Sequence, residues 1–262
     1  MKERFAADYE DFERWHWWFQ GRQRILASIL QRELAVQRAA GVQPRRLVSL
    51  GCGPAGGLDW LVEALGGEGR VIGVDADPSG ALRGHRESAG ALPAGVAFAY
   101  GRAEATPLRS GSCDAVLALD LIEHMDDDAA GLAEAARLVR PGGFLLVTVP
   151  AFQSLWGNQD VVSHHKRRYS ASSLAAAFER AGIQLSWLSY FNTVLFPAVA
   201  AVRWGRRLLG RADADVSDFD SGRPGTLNDG LTRLFAAERH VVGKLRLPFG
   251  VSLAAVARQA LQ

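Results

Sequence analysis

The stretch that decides the fold is Leu47-Val48-Ser49-Leu50-Gly51-Cys52-Gly53-Pro54-Ala55-Gly56-Gly57. Four residues of strand character run into a loop whose glycines let the backbone turn tightly and approach a ligand closely. Asp75 follows about 20 residues later, at the end of the next predicted strand, where a carboxylate can accept hydrogen bonds from a ribose. This spacing is typical of a nucleotide-type cofactor site, and it fits more than one class of ribose-containing cofactor.

Outward from this loop, short apolar runs alternate with helical stretches. The apolar runs predict seven strands, at residues 47–50, 71–74, 96–100, 115–119, 144–149, 185–190 and 251–257. Helices are predicted near residues 57–65, 79–89, 127–139 and 172–181. Strands that alternate with helices pair in parallel through right-handed crossovers. The sequence therefore predicts an α/β fold, a seven-stranded Rossmann-like open sheet with helices on both faces.

Two further parts are predicted beside the core, which spans residues 45–191 and 248–262. Residues 1–44 form an N-terminal cap of aromatic residues and a helix, with the aromatic residues either in the core or in a flap over the site. Roughly sixty residues separate the last two strands, although most connections have about 4–6, so residues 192–247 are predicted to be a helical insertion. Its first helix is apolar and ends in the basic residues Arg203, Arg206, Arg207 and Arg211. We expect a lid, a dimer element or a membrane contact.

Composition excludes several classes of protein. Of 262 residues, 48% are apolar and 22% are charged, which is a globular composition and not a disordered or collagenous one. A net charge of +2 does not favour nucleic acid as a partner. The two cysteines, Cys52 and Cys113, cannot form a disulfide framework, and the charged N-terminus is unlike a signal peptide. We therefore expect a cytoplasmic protein, with attachment to a membrane surface left open.

Downstream motifs identify the family that the chain resembles. They lie in order at residues 74–78, 101–108, 113–116 with 120–124, and 138–143. With the glycine loop, these motifs resemble those of the class I S-adenosylmethionine-dependent methyltransferases over about residues 45–190. The resemblance implies an S-adenosyl-L-methionine cofactor, with S-adenosyl-L-homocysteine as its product. It also implies that the seventh strand is antiparallel and lies between the fifth and the sixth.

The resemblance implies a cofactor site spread over the carboxyl ends of the first four strands. Its predicted residues are Arg22, Gly51, Cys52, Gly53, Asp75, Ala76, Arg102, Ala103, Glu104, Asp120 and Leu121. Two positions depart from the family pattern. Ser49 replaces an acidic residue that commonly binds the cofactor's amino group, and Arg102 stands where an aspartate often binds the adenine. We expect the methionine end near Asp120, with Arg22 clamping its carboxylate.

Two segments further resemble a bacterial subgroup of that family. They are His16-Trp17-Trp18-Phe19-Gln20-Gly21-Arg22, and Trp156-Gly157-Asn158-Gln159-Asp160 leading to His165-Lys166-Arg167-Arg168-Tyr169. This resemblance implies a small-molecule acceptor such as an envelope sugar, a lipid-like molecule or a secondary metabolite.

His165 is the candidate general base, because a hydroxyl acceptor must lose its proton and imidazole titrates near working pH. It follows the fifth strand, whose carboxyl end opens onto the ligand crevice. Asp160 is predicted to orient His165, and Tyr169 is predicted beside it. The predicted substrate-binding residues are Trp156, Arg168 and His124. No metal is expected, since the adjacent His164 and His165 lack the spacing of a structural metal site; a structural role for His165 is the alternative.

The sequence thus predicts methyl transfer from S-adenosylmethionine to a hydroxyl or amine of a small molecule. Two alternatives remain open at this stage. A nicotinamide-dependent oxidoreductase is compatible with the glycine loop alone. A non-catalytic adaptor at a membrane surface is compatible with the basic, amphipathic insertion. Peripheral membrane contact and a homodimer are the further partner predictions.

Overall fold

The structure, a computed structural model, describes residues 11–53, 55–77, 92, 94–208 and 223–260. Within them lie the strands β1 Arg46–Leu50, β2 Arg70–Asp75, β3 Val96–Tyr100, β4 Cys113–Leu119, β5 Val139–Pro150, β6 Trp187–Phe191 and β7 Ser252–Arg258. They form one sheet in the order β3-β2-β1-β4-β5-β7-β6. β7 is antiparallel to β5 and β6, and the other pairs are parallel. The predicted fold class and the position of the seventh strand are confirmed.

The described residues include the helices α1 Trp17–Ala39, α2 Asp59–Ala64, α3 Asp128–Leu138, α4 Asn158–Val162, α5 Ala171–Arg180, α6 Phe196–Leu208 and α7 Thr226–Ala237. The helix predicted near residues 79–89 and the middle of the predicted insertion, which includes Arg211, lie outside the described residues. None of the described helices is long and apolar enough to cross a bilayer.

The sheet separates two hydrophobic cores because successive strand residues point to opposite faces. Leu47 of β1 lies in one core with residues of α1, α2 and α7, whereas its neighbour Val48 lies in the other core with residues of α3 and α5. Both side chains are fully buried. Strands buried on both sides read as continuous apolar runs, which is why the sequence pattern located them so well.

β5 is longer than the six residues that its apolar run predicts. It begins at Val139, which pairs with Cys113, and the register then shifts before Phe144 pairs with Ala115. Gly142 within this segment has a φ of +75°. A local irregularity of this kind lets a strand continue through a Pro-Gly-Gly sequence that resembles a turn.

α1 and α7 pack on the same face of the sheet although they come from the two predicted additions to the core. A Cβ on Gly21 would lie 2.4 Å from Cδ1 of Phe235, so the two helices approach closely at this glycine. Asn228 of α7 accepts a hydrogen bond from the Trp17 amide (2.8 Å) and donates one to the Trp15 carbonyl (2.7 Å). The division into cap, core and insertion stays a prediction, while this contact joins the cap to the insertion.

Candidate active site

A cavity of about 1410 Å³ opens at the carboxyl ends of the parallel strands. The glycine loop lines one side, and Trp17 and Trp18 of the N-terminal segment line another. Val199 and Val202 of α6 and Leu231 of α7 form an apolar wall. Because single-ligand pockets usually measure roughly 300–1,000 Å³, this cavity has room for a cofactor and an acceptor together.

Three non-glycine residues at the rim have left-handed backbone conformations. Asp120 follows β4 with φ 53°, Phe152 follows β5 with φ 56°, and Asn192 follows β6 with φ 59°. Such conformations are unfavourable for residues with a Cβ, and they concentrate at functional sites. Two of these residues, Asp120 and Asn192, line the cavity.

The predicted cofactor loop has its backbone exposed to the cavity. The Gly53 amide donates a hydrogen bond to Oδ2 of Asp75 (2.8 Å), which joins the loop to the end of β2. Gly53 has a φ of +56°, and a Cβ there would meet no heavy atom within 4 Å. Gly51, Cys52, Gly53 and Asp75 all line the cavity. Open space above a bare glycine backbone, beside a carboxylate, fits the ribose end of S-adenosylmethionine.

The adenine-side predictions lie next to this site but do not line the cavity, and neither does Ala76. The Gly101 amide donates to the Asp75 carbonyl (3.0 Å), so the segment that follows β3 starts beside the predicted ribose site. Arg102 has a largely exposed side chain 3.5 Å from Glu104. The cofactor roles of Ala76, Arg102, Ala103 and Glu104 stay predictions.

Arg22 and Asp120 form an ion pair at the predicted methionine end. Nη2 of Arg22 lies 2.6 Å from Oδ2 of Asp120, and it also donates to Oγ1 of Thr148 (3.1 Å). The guanidinium lies over the ring of Trp18, 5.2 Å from its centroid. Nε of Arg22 is buried and has no hydrogen-bond partner within the described part of the chain. Arg22, Asp120 and Leu121 all line the cavity, and their cofactor contacts stay predictions.

His165 lines the cavity, and its imidazole contacts the Asp160 carboxylate. Nδ1 of His165 lies 2.8 Å from Oδ1 of Asp160, which leaves Nε2 as the nitrogen that can act on a ligand. Asp160 is fully buried and also accepts hydrogen bonds from Arg168 Nε (2.7 Å) and the Gly157 amide (2.8 Å).

The pKa of Asp160 reflects two opposed effects. Burial raises it, but the hydrogen bond from His165, the neighbouring Arg168 guanidinium and the charge of Arg203 outweigh burial and lower the pKa to about 2. Asp160 is therefore ionised at neutral pH, as a carboxylate that orients an imidazole must be.

Three residues predicted on the acceptor side either contact other protein groups or lie outside the cavity lining. The Tyr169 hydroxyl donates to Oδ2 of Asp128 (2.9 Å), and its side chain belongs to the core on the far face of the sheet. Trp156 does not line the cavity. Arg168 does line it, but its guanidinium contacts Asp160 and the Ala151 carbonyl (3.0 Å). The geometry therefore contradicts the catalytic assignment of Tyr169, and it shows Arg168 bound to Asp160. The substrate-binding role of Trp156 stays a prediction.

Alternation of side chains explains why Tyr169 leaves the site. Tyr169 bridges Ala151 in parallel, so the chain is extended at this point. In an extended segment, neighbouring side chains point to opposite sides. Arg168 therefore points toward the cavity and Tyr169 away from it.

Two buried polar residues of the cavity were missed as site residues. Glu123 and Asn192 are both 0% exposed and line the cavity. Neither the carboxylate oxygens of Glu123 nor the amide atoms of Asn192 have a hydrogen-bond partner among the described residues. Burial, together with the Asp120 carboxylate, raises the pKa of Glu123 well above its usual range. Buried polar groups are nearly always paired, so these two groups indicate a ligand.

His124 lies against His165, with 4.7 Å between the ring centroids. Burial, followed by the nearby His165, lowers the pKa of His124 to about 4, so its imidazole is neutral at neutral pH. His124 lines the cavity, and its substrate-binding role stays a prediction.

Comparisons with known proteins find methyltransferases that are similar to the part of the chain that contains the glycine loop. Residues 48–147 match a family model described as methyltransferase domain. The ubiquinone biosynthesis O-methyltransferase of Sodalis glossinidius is 35% identical over 139 residues, which cover 48% of this chain and 51% of that protein. A probable S-adenosylmethionine-dependent methyltransferase of Mycolicibacterium smegmatis is 31% identical over 150 residues, covering 56% and 54%. The chain spans about half the length of these curated relatives.

A solved structure shares the fold over nearly the whole chain. It is an S-adenosylmethionine-dependent methyltransferase of Thermotoga maritima, described as a possible histamine N-methyltransferase, with a TM-score of 0.53 and 20% identity over 98% of this chain and 97% of that chain. The family match runs from β1 into β5, so it includes the glycine loop, Asp75 and Asp120. Residues 48–147 therefore match a methyltransferase domain, and the chain shares its fold with a solved methyltransferase structure.

Proposed function

We propose that this chain methylates a hydroxyl group of a small acceptor that has a substantial apolar part. The observation that carries the proposal is the His165–Asp160 pair, which faces the same cavity as the glycine loop and Asp75. The relative from Sodalis glossinidius is named as an O-methyltransferase, which supports a hydroxyl over an amine. The methyltransferase match makes the nicotinamide alternative the less favoured one.

Residues of both ends of the cofactor site can be assigned by their chemistry. S-adenosylmethionine, when bound, supplies the methyl group. The Asp75 carboxylate can accept hydrogen bonds from ribose hydroxyls beside the open backbone of Gly53. Arg22 and Asp120 carry the charges that complement a carboxylate and an ammonium, and they lie where the methionine end is expected. This pair can offset the loss of the usual acidic residue at Ser49.

The acceptor side combines an apolar wall with a few polar groups. α6 and α7 contribute the wall, and Asn192 offers a buried amide with both hydrogen-bonding atoms available to a ligand. Pockets of this kind bind apolar molecules and use a small number of polar groups to orient them. Orientation matters here because holding reactants in line supplies much of the acceleration of a displacement.

Proton removal is assigned to His165. Nδ1 is engaged with Asp160, so the hydroxyl proton goes to Nε2. The ionised Asp160 then stabilises the imidazolium that forms, and it keeps the ring in one orientation throughout.

Asp75→Ala is expected to weaken S-adenosylhomocysteine binding by about 1.5–3 kcal/mol, the value of a charge-assisted hydrogen bond. Isothermal titration calorimetry measures this directly, with Glu63→Ala on the exposed side of α2 as the control. Unchanged affinity in Asp75→Ala would show that Asp75 does not bind the cofactor. A wild-type protein that binds NADH but not S-adenosylhomocysteine would overturn the proposed function.

A peripheral membrane contact through the insertion is proposed as well. Trp204 and Leu208 are exposed and do not line the cavity, and Arg206 lies on the same helix. Arginines near an anionic bilayer contribute about 1 kcal/mol each. We expect more protein to sediment with phosphatidylglycerol vesicles than with phosphatidylcholine vesicles at low salt, and less with Trp204→Ser. Equal recovery from both lipids would leave the insertion as a lid or a dimer element.

A further inference from the structure

We propose that Glu123, His124 and His165 bind a divalent cation on the acceptor side of the cavity. The cation site stands on the geometry of these three side chains, and only its part in acceptor binding rests on the proposed function. Each residue offers one ligand atom, and these atoms all lie within 4.8 Å of one another.

The donor set suits first-row divalent cations. Two imidazole nitrogens and one carboxylate oxygen are the protein ligands of many catalytic Zn²⁺ sites, which keep a further position open for water or substrate. In tetrahedral sites the ligand atoms stand roughly 3–4 Å apart, given metal–ligand distances of about 2.0–2.2 Å. Small side-chain rotations would therefore bring this trio to a cation, and the open position would face the cavity that all three residues line.

Glu123 is the observation that points to a ligand. Its side chain is 0% exposed, and both carboxylate oxygens lack a hydrogen-bond partner among the described residues. A buried carboxylate is costly unless it is protonated, paired or bound to a metal. A cation between Glu123 and the two imidazoles would give this buried carboxylate a partner of opposite charge.

Asp160 is the carboxylate that binds the other ring nitrogen of His165, as metal-binding histidines usually require. Metal-binding histidines usually donate their other ring N–H to a carboxylate or carbonyl, which fixes the tautomer and directs the free nitrogen at the metal. Nδ1 of His165 contacts Asp160 at 2.8 Å, so Nε2 is the nitrogen available to the cation.

A cation bound to Nε2 of His165 would keep the hydroxyl proton from that nitrogen. A bound cation lowers the pKa of a hydroxyl that it coordinates, so the coordinated hydroxyl would release its proton to water and the free imidazole base would not be needed. The expectation of no metal considered only the adjacent His164 and His165, and the proposed site goes beyond it by using Glu123 and His124.

Cobalt titration tests the site on the full chain. The protein is treated with EDTA, desalted and titrated with Co²⁺, and the visible ligand-field absorption of Co²⁺ is recorded. We expect one equivalent to bind, Zn²⁺ to displace it, and Glu123→Gln, His124→Ala and His165→Ala each to weaken binding at least ~10-fold. His164→Asn is the matched control, because His164 is exposed and has a φ of 57°, which asparagine tolerates.

Thermal unfolding and S-adenosylhomocysteine calorimetry on the same samples separate the outcomes. Zn²⁺ is expected to raise the Tm of the wild type and not that of Glu123→Gln. The cation site would be overturned if no visible absorption of Co²⁺ develops with one equivalent of the cation. It would also be overturned if His164→Asn and His165→Ala bind Co²⁺ equally well. If the cation site fails but S-adenosylhomocysteine still binds, the proposed function is kept. If Co²⁺ binds but S-adenosylhomocysteine does not, the cation site is kept and the proposed function is overturned.

Discussion

Turnover by His165→Ala is expected to be lower than that of the wild type by roughly 10²–10⁴-fold, the usual contribution of a positioned general base. Affinity for S-adenosylhomocysteine should stay nearly unchanged, because the predicted cofactor contacts lie at the other strand ends. Release of S-adenosylhomocysteine, measured with any acceptor that the wild type methylates, gives the turnover, and calorimetry gives the affinity.

His164→Asn is the control for this variant as well, since it alters the neighbouring exposed histidine and leaves the cavity intact. Near-normal turnover in His165→Ala would show that His165 is not the general base and has a structural role. Treatment of the wild type with EDTA separates the two chemical roles. Activity that survives the treatment shows that the free imidazole takes the hydroxyl proton. Activity that is lost and regained with Zn²⁺ shows that the cation activates the hydroxyl, whose proton then leaves to water.

Asp160→Ala is expected to destabilise the protein by about 3–5 kcal/mol, because it leaves a buried charge without its partner. The Arg168 side chain is only 3% exposed, and its Nε lies 2.7 Å from Asp160. Urea unfolding at neutral pH measures the loss. Asp126→Ala is the matched control, since Asp126 pairs with Lys166 at the surface and such exposed pairs contribute little. A similar, small change in both variants would show that the buried pair does not stabilise the fold.

The pH dependence of the free energy of unfolding gives a second measure of how much ionised Asp160 stabilises the fold. The folded-state pKa of about 2 lies below the unfolded value of roughly 3.9. The contribution of Asp160 is therefore fully present above pH ~4 and is lost as the pH falls through about 2. Asp160→Asn should lack this part of the acid dependence, so the urea midpoints of the two proteins should converge as the pH falls. Parallel curves down to pH ~2 would contradict the assignment.

Most of the fold could be predicted because its signal is local. Each buried strand is a continuous apolar run, and the glycine loop and Asp75 sit at fixed positions relative to β1 and β2. β5 was predicted five residues short at its start, since a Pro-Gly-Gly segment reads as a turn unless the partner strand is known. The antiparallel β7 came from family resemblance, because an apolar run does not reveal strand direction.

The acceptor side of the site was harder to predict because it depends on orientation and burial. Arg168 and Tyr169 are adjacent, and only the extended backbone at the Ala151 bridge decides that Tyr169 faces the far core. Glu123 stood inside a recognised motif, yet nothing in that motif indicates that its carboxylate is buried without a partner. Asn192 had one available signal, its position directly after β6.

The contact between α1 and α7 has a consequence for synthesis on the ribosome. The Trp17 amide bonds to Asn228, which is 211 residues further along the chain. At about 5–20 residues per second, α1 would leave the ribosome roughly 10–40 s before its partner helix is made. Contacts of such high sequence separation also slow folding after release. During that interval the Trp-rich segment at the start of α1 lacks its partner, so we expect it to be a binding site for a chaperone on the nascent chain.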